Sequence, residues 1–306
     1  MSLVSFASAL GLLLVAFIWQ VTLSGIQGRI VARVQKRVGP RWYQSFMDIF
    51  KAMSKRSISH GWVYDFGVIM ALGGIMATLI FMPIAGFTSF SGMDNFFVIT
   101  YLLAVGMLGM AMSAVGSGNP WASIGVSRAL IQMVAYEVPF IIVVFAMVFG
   151  YKTASLTGLA AIQQSSGVLG WNLFRLPLGA IVGFVSLMGM LGKKPFDTFI
   201  APAEIASGPL VEYAGKHLGM LMVMHEFTTV VEVSLFVNLF LGGGVTLLGF
   251  LAKYFLVYTI INLISAVVGR LKIDQVVLFF YKIPIGLALV QAMVVIFTGF
   301  GVTTWF

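Results

Sequence analysis

All five glutamates of this chain, Glu137, Glu204, Glu212, Glu226 and Glu232, fall within one stretch, although only 9 % of the residues are charged. Three of them, Glu137, Glu226 and Glu232, lie in apolar runs long enough to cross a bilayer. A carboxylate in hydrocarbon costs about 2.5 kcal/mol or more even on lenient insertion scales. Such groups mark a route for protons or ions, or a buried polar site. The alternative for each is a carboxyl group that simply hydrogen-bonds a neighbouring helix.

The surroundings of these acids sharpen the reading. Arg128, Gln132 and Tyr136 recur every four residues along one face of a helical run, with Glu137 beside Tyr136 and ~13 Å deep. Pro139 follows, cannot donate a backbone hydrogen bond, and so frees the carbonyl of Ala135 within a turn of Glu137. A freed carbonyl inside a membrane needs water or a polar partner, which predicts a hydrated pocket there. In a later run that begins near Lys216, Glu226 falls ~15 Å deep and Glu232 ~24 Å deep if the helix is continuous. Two carboxyl groups brought together in such a site can hand a proton between them. Between these runs, Asp197, Glu204 and Glu212 share a loop with Lys193, Lys194 and Lys216, and prolines at 195, 202 and 209 forbid a long regular helix. That loop is shaped rather than a spacer, and something docks there.

The elements that must position these groups are membrane helices. With 60 % hydrophobic residues and a mean hydropathy of +1.03, the chain cannot supply the polar exterior of a soluble domain. It holds no cysteine and three histidines, so no thiolate zinc site or iron–sulfur cluster can be built from it alone, and electrons must travel in another subunit. The scattered methionines suit gap-filling, and the glycines close helix packing. His217 and His225 could face a common cavity, but paired haem ligation would need them on opposing helices.

Apolar windows of about 20 residues, the length that spans the hydrocarbon, occur near 3–24, 66–89, 96–115, 128–150, 176–192, 217–240, 246–269 and 284–305. The expected fold class is therefore an all-α integral membrane protein of eight transmembrane helices, one domain over residues 1–306, without internal repeats. Fifteen of the eighteen Lys and Arg residues fall in the segments 25–65, 116–127, 193–216 and 270–283 or at their edges. The positive-inside rule makes those segments cytoplasmic and both termini outside, in the cell membrane. The first run, with its basic cluster after rather than before it, reads as a retained span. Segment 25–65 mixes basic and apolar residues as an amphipathic surface stretch would, and anionic lipid is its simplest partner. Lys253 is placed to snorkel to the outer interface; the alternative is a buried carboxylate partner.

Three ordered stretches resemble the subunit-1 (H-type) membrane protein of respiratory complex I and its relatives in membrane-bound hydrogenases. In "VQKRVGPRWYQSFMDIFKAMSK" they are Gln35, Arg37, Gly39, Pro40, Asp48 and Lys51; in "SRALIQMVAYEVP" they are Arg128, Gln132, Tyr136, Glu137 and Pro139. The third is "PFD" at 195–197 followed by Glu204, Gly208 and "EYAG" from Glu212. The quinone-using branch usually carries further acids where this chain has Ile200 and Pro202, and a longer loop after Gly39-Pro40. The short "GPRWYQSFMD" and the "SGPLVEY" ending look more like the energy-converting hydrogenase and sulfur-reductase branch.

The resemblance implies a non-catalytic subunit that couples a peripheral redox module to proton or sodium translocation. Its own cofactors would be none; iron–sulfur clusters, and a nickel–iron centre in the hydrogenase case, would sit in partner subunits. Implied partners are a hydrogenase-like large subunit and an iron–sulfur small subunit on the cytoplasmic side, antiporter-like membrane subunits and lipid, with no nucleic acid. Glu137, Glu226, Glu232, Tyr136, Asp197, Glu204 and Glu212 would form the ion pathway. Arg37, Gly39, Pro40, Asp48, Lys51, Arg128, Lys193 and Lys194 would position loops or partners. The competing readings are a quinone-site subunit of a complex I-type dehydrogenase and a stand-alone secondary transporter; the transporter predicts internal repeats, which the chain lacks.

Overall fold

A computed structural model describes residues 3–90 and 92–298. Helices account for the regular structure: α1 (Leu3–Val34), α2 (Gln44–Ser54), α3 (Trp62–Phe81), α4 (Phe96–Gly116), α5 (Pro120–Tyr151), α6 (Leu156–Ser165), α7 (Asn172–Arg175), α8 (Pro177–Met190), α9 (Pro202–Ile205), α10 (Gly215–Phe240), α11 (Leu247–Val267), α12 (Ile273–Lys282) and α13 (Pro284–Thr298). Seven helical stretches among the described residues are long and apolar enough to cross a membrane, and α8 is a shorter apolar eighth. The protein is thus an all-α, multi-pass membrane protein. Residues 299–305 of the last expected span, and the termini, lie outside the described residues.

Two segments expected as loops are largely helical. Within 116–127 only a short break separates α4 from α5, because Asn119 accepts a hydrogen bond from the Trp121 N–H (2.9 Å) and Pro120 takes the first helical position. Within 270–283, α12 buries Val276 and Phe280, four residues apart, and joins α13 in one span-length stretch, Ile273–Phe297. The second span ends at Phe81 rather than 89, and the segment after it closes on Asn95, which caps α4. Both α1 and α5 have 32 residues, ~48 Å of helix, so each extends beyond a hydrocarbon layer of about 30 Å.

At the centre runs α10, the most enclosed spanning helix, packed against α1, α2, α3, α6, α8 and α11. The closest pair is α3 with α4. A Cβ at Gly109 would stand 2.5 Å from the Ala71 nitrogen, and one at Gly67 would stand 2.6 Å from Ser113, so glycine sets the spacing of these two backbones. Ser113 uses that proximity to donate to the Tyr64 carbonyl at 2.7 Å.

The C-terminal end of α10 is closed by side chains from other elements. Gln163 of α6 donates to the carbonyls of Asn238 (3.1 Å) and Leu239 (3.2 Å), and its oxygen accepts from the N–H groups of Gly242 and Asn172. Asn172 also donates to Leu239 O, at 2.8 Å. Lys253 of α11 donates to the carbonyls of Leu241 (2.6 Å) and Gly243 (2.8 Å), with its ammonium 4.2 Å from the centre of the Trp171 ring. Its partners are therefore helix-terminal carbonyls rather than a carboxylate, the arrangement that the negative end of a helix dipole favours.

Candidate functional site

Between the loop joining α8 to α10 and the middle of α10, residues of α4, α5, α8, α10 and that loop line a cavity of about 290 Å³. Its walls are mostly apolar, with Met107, Leu130 and Phe199 among them, and its polar groups are few: Gln132, Tyr136, His225, Glu226, Thr228, Thr229 and Glu232. Glu232 is 1 % exposed, and neither carboxylate oxygen has a hydrogen-bond partner among the described residues. Glu226 has one oxygen engaged, accepting from the Ser24 hydroxyl at 2.7 Å. Thr228 and Thr229 turn their hydroxyls back to the carbonyls of Met224 and His225, as helical threonines do.

Unbroken helix over Gly215–Phe240 puts Glu226 and Glu232 in one rigid element. On α5, Gln132 and Tyr136 face the cavity one turn apart, as their spacing predicts, and Tyr136 reaches the Met107 sulfur at 3.7 Å. Glu137 is half-buried and does not line the cavity. The acid that joins Glu226 there is thus Glu232 rather than Glu137, because successive helical residues point about 100° apart and Tyr136 takes the inward position. His217 is likewise separated from His225: it lies 3.3 Å from Asp65 at the start of α3, while His225 faces the cavity.

The loop from 191 to 214 forms the rim of the cavity. Each of its acids is tied to a different element. Asp197 pairs with Arg270 beyond α11 (2.5 Å), and Glu204 with Arg128 of α5 (2.7 Å). Glu212 accepts from the Asn119 amide (2.5 Å) and lies 3.7 Å from the His60 imidazole. The hydrogen bond from Arg128 holds the Glu204 carboxyl below the usual carboxylate range. Burial pushes the Tyr213 phenol up to about 12. Consecutive residues Ala206 and Ser207 adopt left-handed backbone, at φ 47° and 76°, a strained conformation for residues with a Cβ. Thr198 donates to Gln132 at 2.5 Å, and Gln132 donates to the Gly189 carbonyl at 3.1 Å, so the loop is bonded directly to the cavity wall. Lys194 is held through its backbone N–H, which donates to Ser265, and the Lys193 N–H closes the end of α8 on Met188 O.

The positioning residues after α1 act through close packing. Residues 39–42 fold back along its C-terminal end, where a Cβ at Gly39 would stand 2.8 Å from Arg29 Cα. Pro40 lies over Gly28, the Arg37 guanidinium donates to Gln35, and Asp48 accepts from Gln44 at 2.9 Å within α2. Lys51 sits in the last turn of α2, where a cation complements the helix dipole.

Several participants escape a reading of the sequence. Thr198, Arg270, Asn119 and His60 partner the expected acids across long separations that only the folded loop supplies. Buried Gln20 and Gln27, with Ser24 between them, did carry a signal: polar residues spaced four and three apart in an apolar run share one helix face.

A family model described as NADH dehydrogenase matches residues 7–296. The chain is 29 % identical to a subunit of the F(420)H(2) dehydrogenase of Methanosarcina barkeri, an alignment covering 92 % of this chain and 90 % of that protein. It is 27 % identical to the corresponding protein of Methanosarcina mazei, with the same coverage. Among solved structures, it resembles a chain of the membrane-bound sulfane sulfur reductase (MBS), an archaeal respiratory membrane complex, with 37 % identity and a TM-score of 0.89 over 95 % of this chain and 99 % of that one.

Proposed function

This chain belongs to the NADH dehydrogenase family, and from that membership we propose that it is a non-catalytic coupling subunit, linking a peripheral redox module to the movement of protons or sodium across the membrane. One observation carries the reading: the fully buried Glu232, both of whose oxygens are unpartnered among the described residues, shares a cavity with Glu226 within the helix bundle. A carboxyl group so placed costs several kcal/mol by most accounts, with no stabilising contact to offset it. Transient proton or cation occupancy is the use that justifies it.

The peripheral module, with its iron–sulfur clusters and a hydrogenase-like or sulfur-reducing large subunit, docks on the basic side, against 25–65 and 191–214. A change in the loop there passes through Thr198 and Gln132 into the cavity wall, while Asp197, Glu204 and Glu212 gather charge at the rim. Glu226 and Glu232 relay it within, beside Tyr136. Glu137, half-buried on the adjoining face of α5, hands it towards neighbouring antiporter-like subunits. The quinone-site alternative is weaker, since Ile200 lines the cavity and Pro202 opens α9 where quinone-using relatives carry acids.

In the intact complex, Glu232→Gln and Glu137→Gln should each cut ion pumping about a hundredfold per electron transferred, the lower end of what a lost proton-transfer group costs. Assembly and cluster content should persist. Pumping at the normal stoichiometry in both variants would remove these acids from the route and leave a purely structural subunit.

A further inference from the structure

Glu226 stands at the boundary between the cavity and a second polar region. On α1, Gln20, Ser24 and Gln27 share the face turned to α10 and α11, and each meets a polar group there. Gln20 accepts from the Tyr254 hydroxyl (2.6 Å), which also lies 3.3 Å from the Thr229 carbonyl. Ser24 donates to Glu226 at 2.7 Å, and Gln27 donates to Thr259 of α11 at 2.5 Å. Both glutamines are buried; the Gln20 amide lies beside the Glu226 carboxyl, whereas the Gln27 amide oxygen has no hydrogen-bond partner among the described residues. An amide enclosed this way without a second partner is costly unless water completes its bonds. Gln27 lies two residues before Arg29, where α1 enters the basic cytoplasmic cluster.

We propose that Ser24 is a positioning residue for Glu226 and that the Gln20–Ser24–Gln27 seam is a second, water-holding branch joining that acid to the cytoplasmic side, independent of the rim loop. The inference rests on the relay role of Glu226 and extends it. Ser24 holds one carboxyl oxygen towards α1, beside the Gln20 amide. Water bonded at Gln27 then exchanges a proton with the acid along the seam, so that the acid is served from two sides. The seam has the chemistry this requires: donors at Ser24 and Gln20 beside the acid and a free acceptor at Gln27.

The test uses the intact complex in vesicles, with pumping measured per electron transferred across pH, and the infrared carboxyl band that Glu226→Gln removes. Ser24→Ala should move the midpoint of the pumping profile by about one pH unit, the equivalent of one hydrogen bond to an acid, and should shift the Glu226 band. Gln27→Leu should move the midpoint without shifting the band as far, and Ser24→Thr, which keeps the hydroxyl, should restore both. If Glu226→Gln lowers pumping but Ser24→Ala and Gln27→Leu match the wild-type profile and band, the seam is structural and this inference falls alone. If Glu226→Gln pumps normally, the relay role of that acid falls and takes the inference with it.

Discussion

The acids at the cavity rim differ from Glu232 inside in having ionic or hydrogen-bond partners, and that difference is measurable. Glu204 has its carboxyl held below the ordinary range by the hydrogen bond from Arg128. A depressed acid of this kind contributes its stabilising contact fully above the unfolded glutamate value of about 4.3, and loses it as the pH falls through the lower folded value. The rim should therefore hold at neutral pH and loosen on acidification below about 4.3. Hydrogen exchange across 191–214, normalised for the intrinsic rate at each pH, should show protection falling in acid. Arg128→Ala should exchange at neutral pH as the wild type does in acid. Equal protection in the variant and the wild type at neutral pH would mean that the proline-shaped backbone, rather than the pair, holds the loop.

Helix α10 is anchored at one end and functional in the middle. Gln163, Asn172 and Lys253 satisfy carbonyls that a helix terminus otherwise leaves open, in a place without bulk water. Gln163→Ala would orphan buried N–H and C=O groups at about 1–3 kcal/mol each, so the variant should melt well below the wild type in detergent. An unchanged melt would show that water replaces the side chain. The helices themselves were legible because an apolar run of spanning length has few other fates. What the runs concealed was how far the helices extend beyond the apolar windows: the start of α5 is signalled by Asn119-Pro120, and α12 by the spacing of Val276 and Phe280, before the window that begins at 284. The site was half legible. Glu226, Glu232 and Tyr136 announce themselves as rare polar groups in apolar runs, whereas the choice of Glu232 over Glu137 as companion to Glu226 depends on helix rotation, which spacing within one helix cannot give.

The charge distribution sets an expected orientation in the membrane, and the chain suits a direct check. It has no cysteine, so a single introduced thiol reports one position against a silent background. Val38, 93 % exposed beyond α1, and Leu169, 77 % exposed between α6 and α7, lie at opposite ends of the bundle. In membranes of assembled complex lacking the peripheral module, Val38→Cys should react with an impermeant maleimide only from the cytoplasmic side, and Leu169→Cys only from outside. The reverse pattern would invert the proposed topology and put the docking loops in the wrong compartment. Restoring the module should shield Val38→Cys, since the exposed tip over 35–43, with its arginines, is the surface on which docking is proposed.

The closure of α10 at its C-terminal end has one more consequence. The carbonyls of that terminus are already bonded to amide and ammonium groups, so the relay proposed through Glu232 does not continue along the end of this helix. On that proposal the departure is sideways, into a neighbour. Vesicles containing this chain without its companions should then hold an imposed proton gradient as tightly as protein-free ones, and rapid collapse of that gradient would show that charge crosses this chain directly.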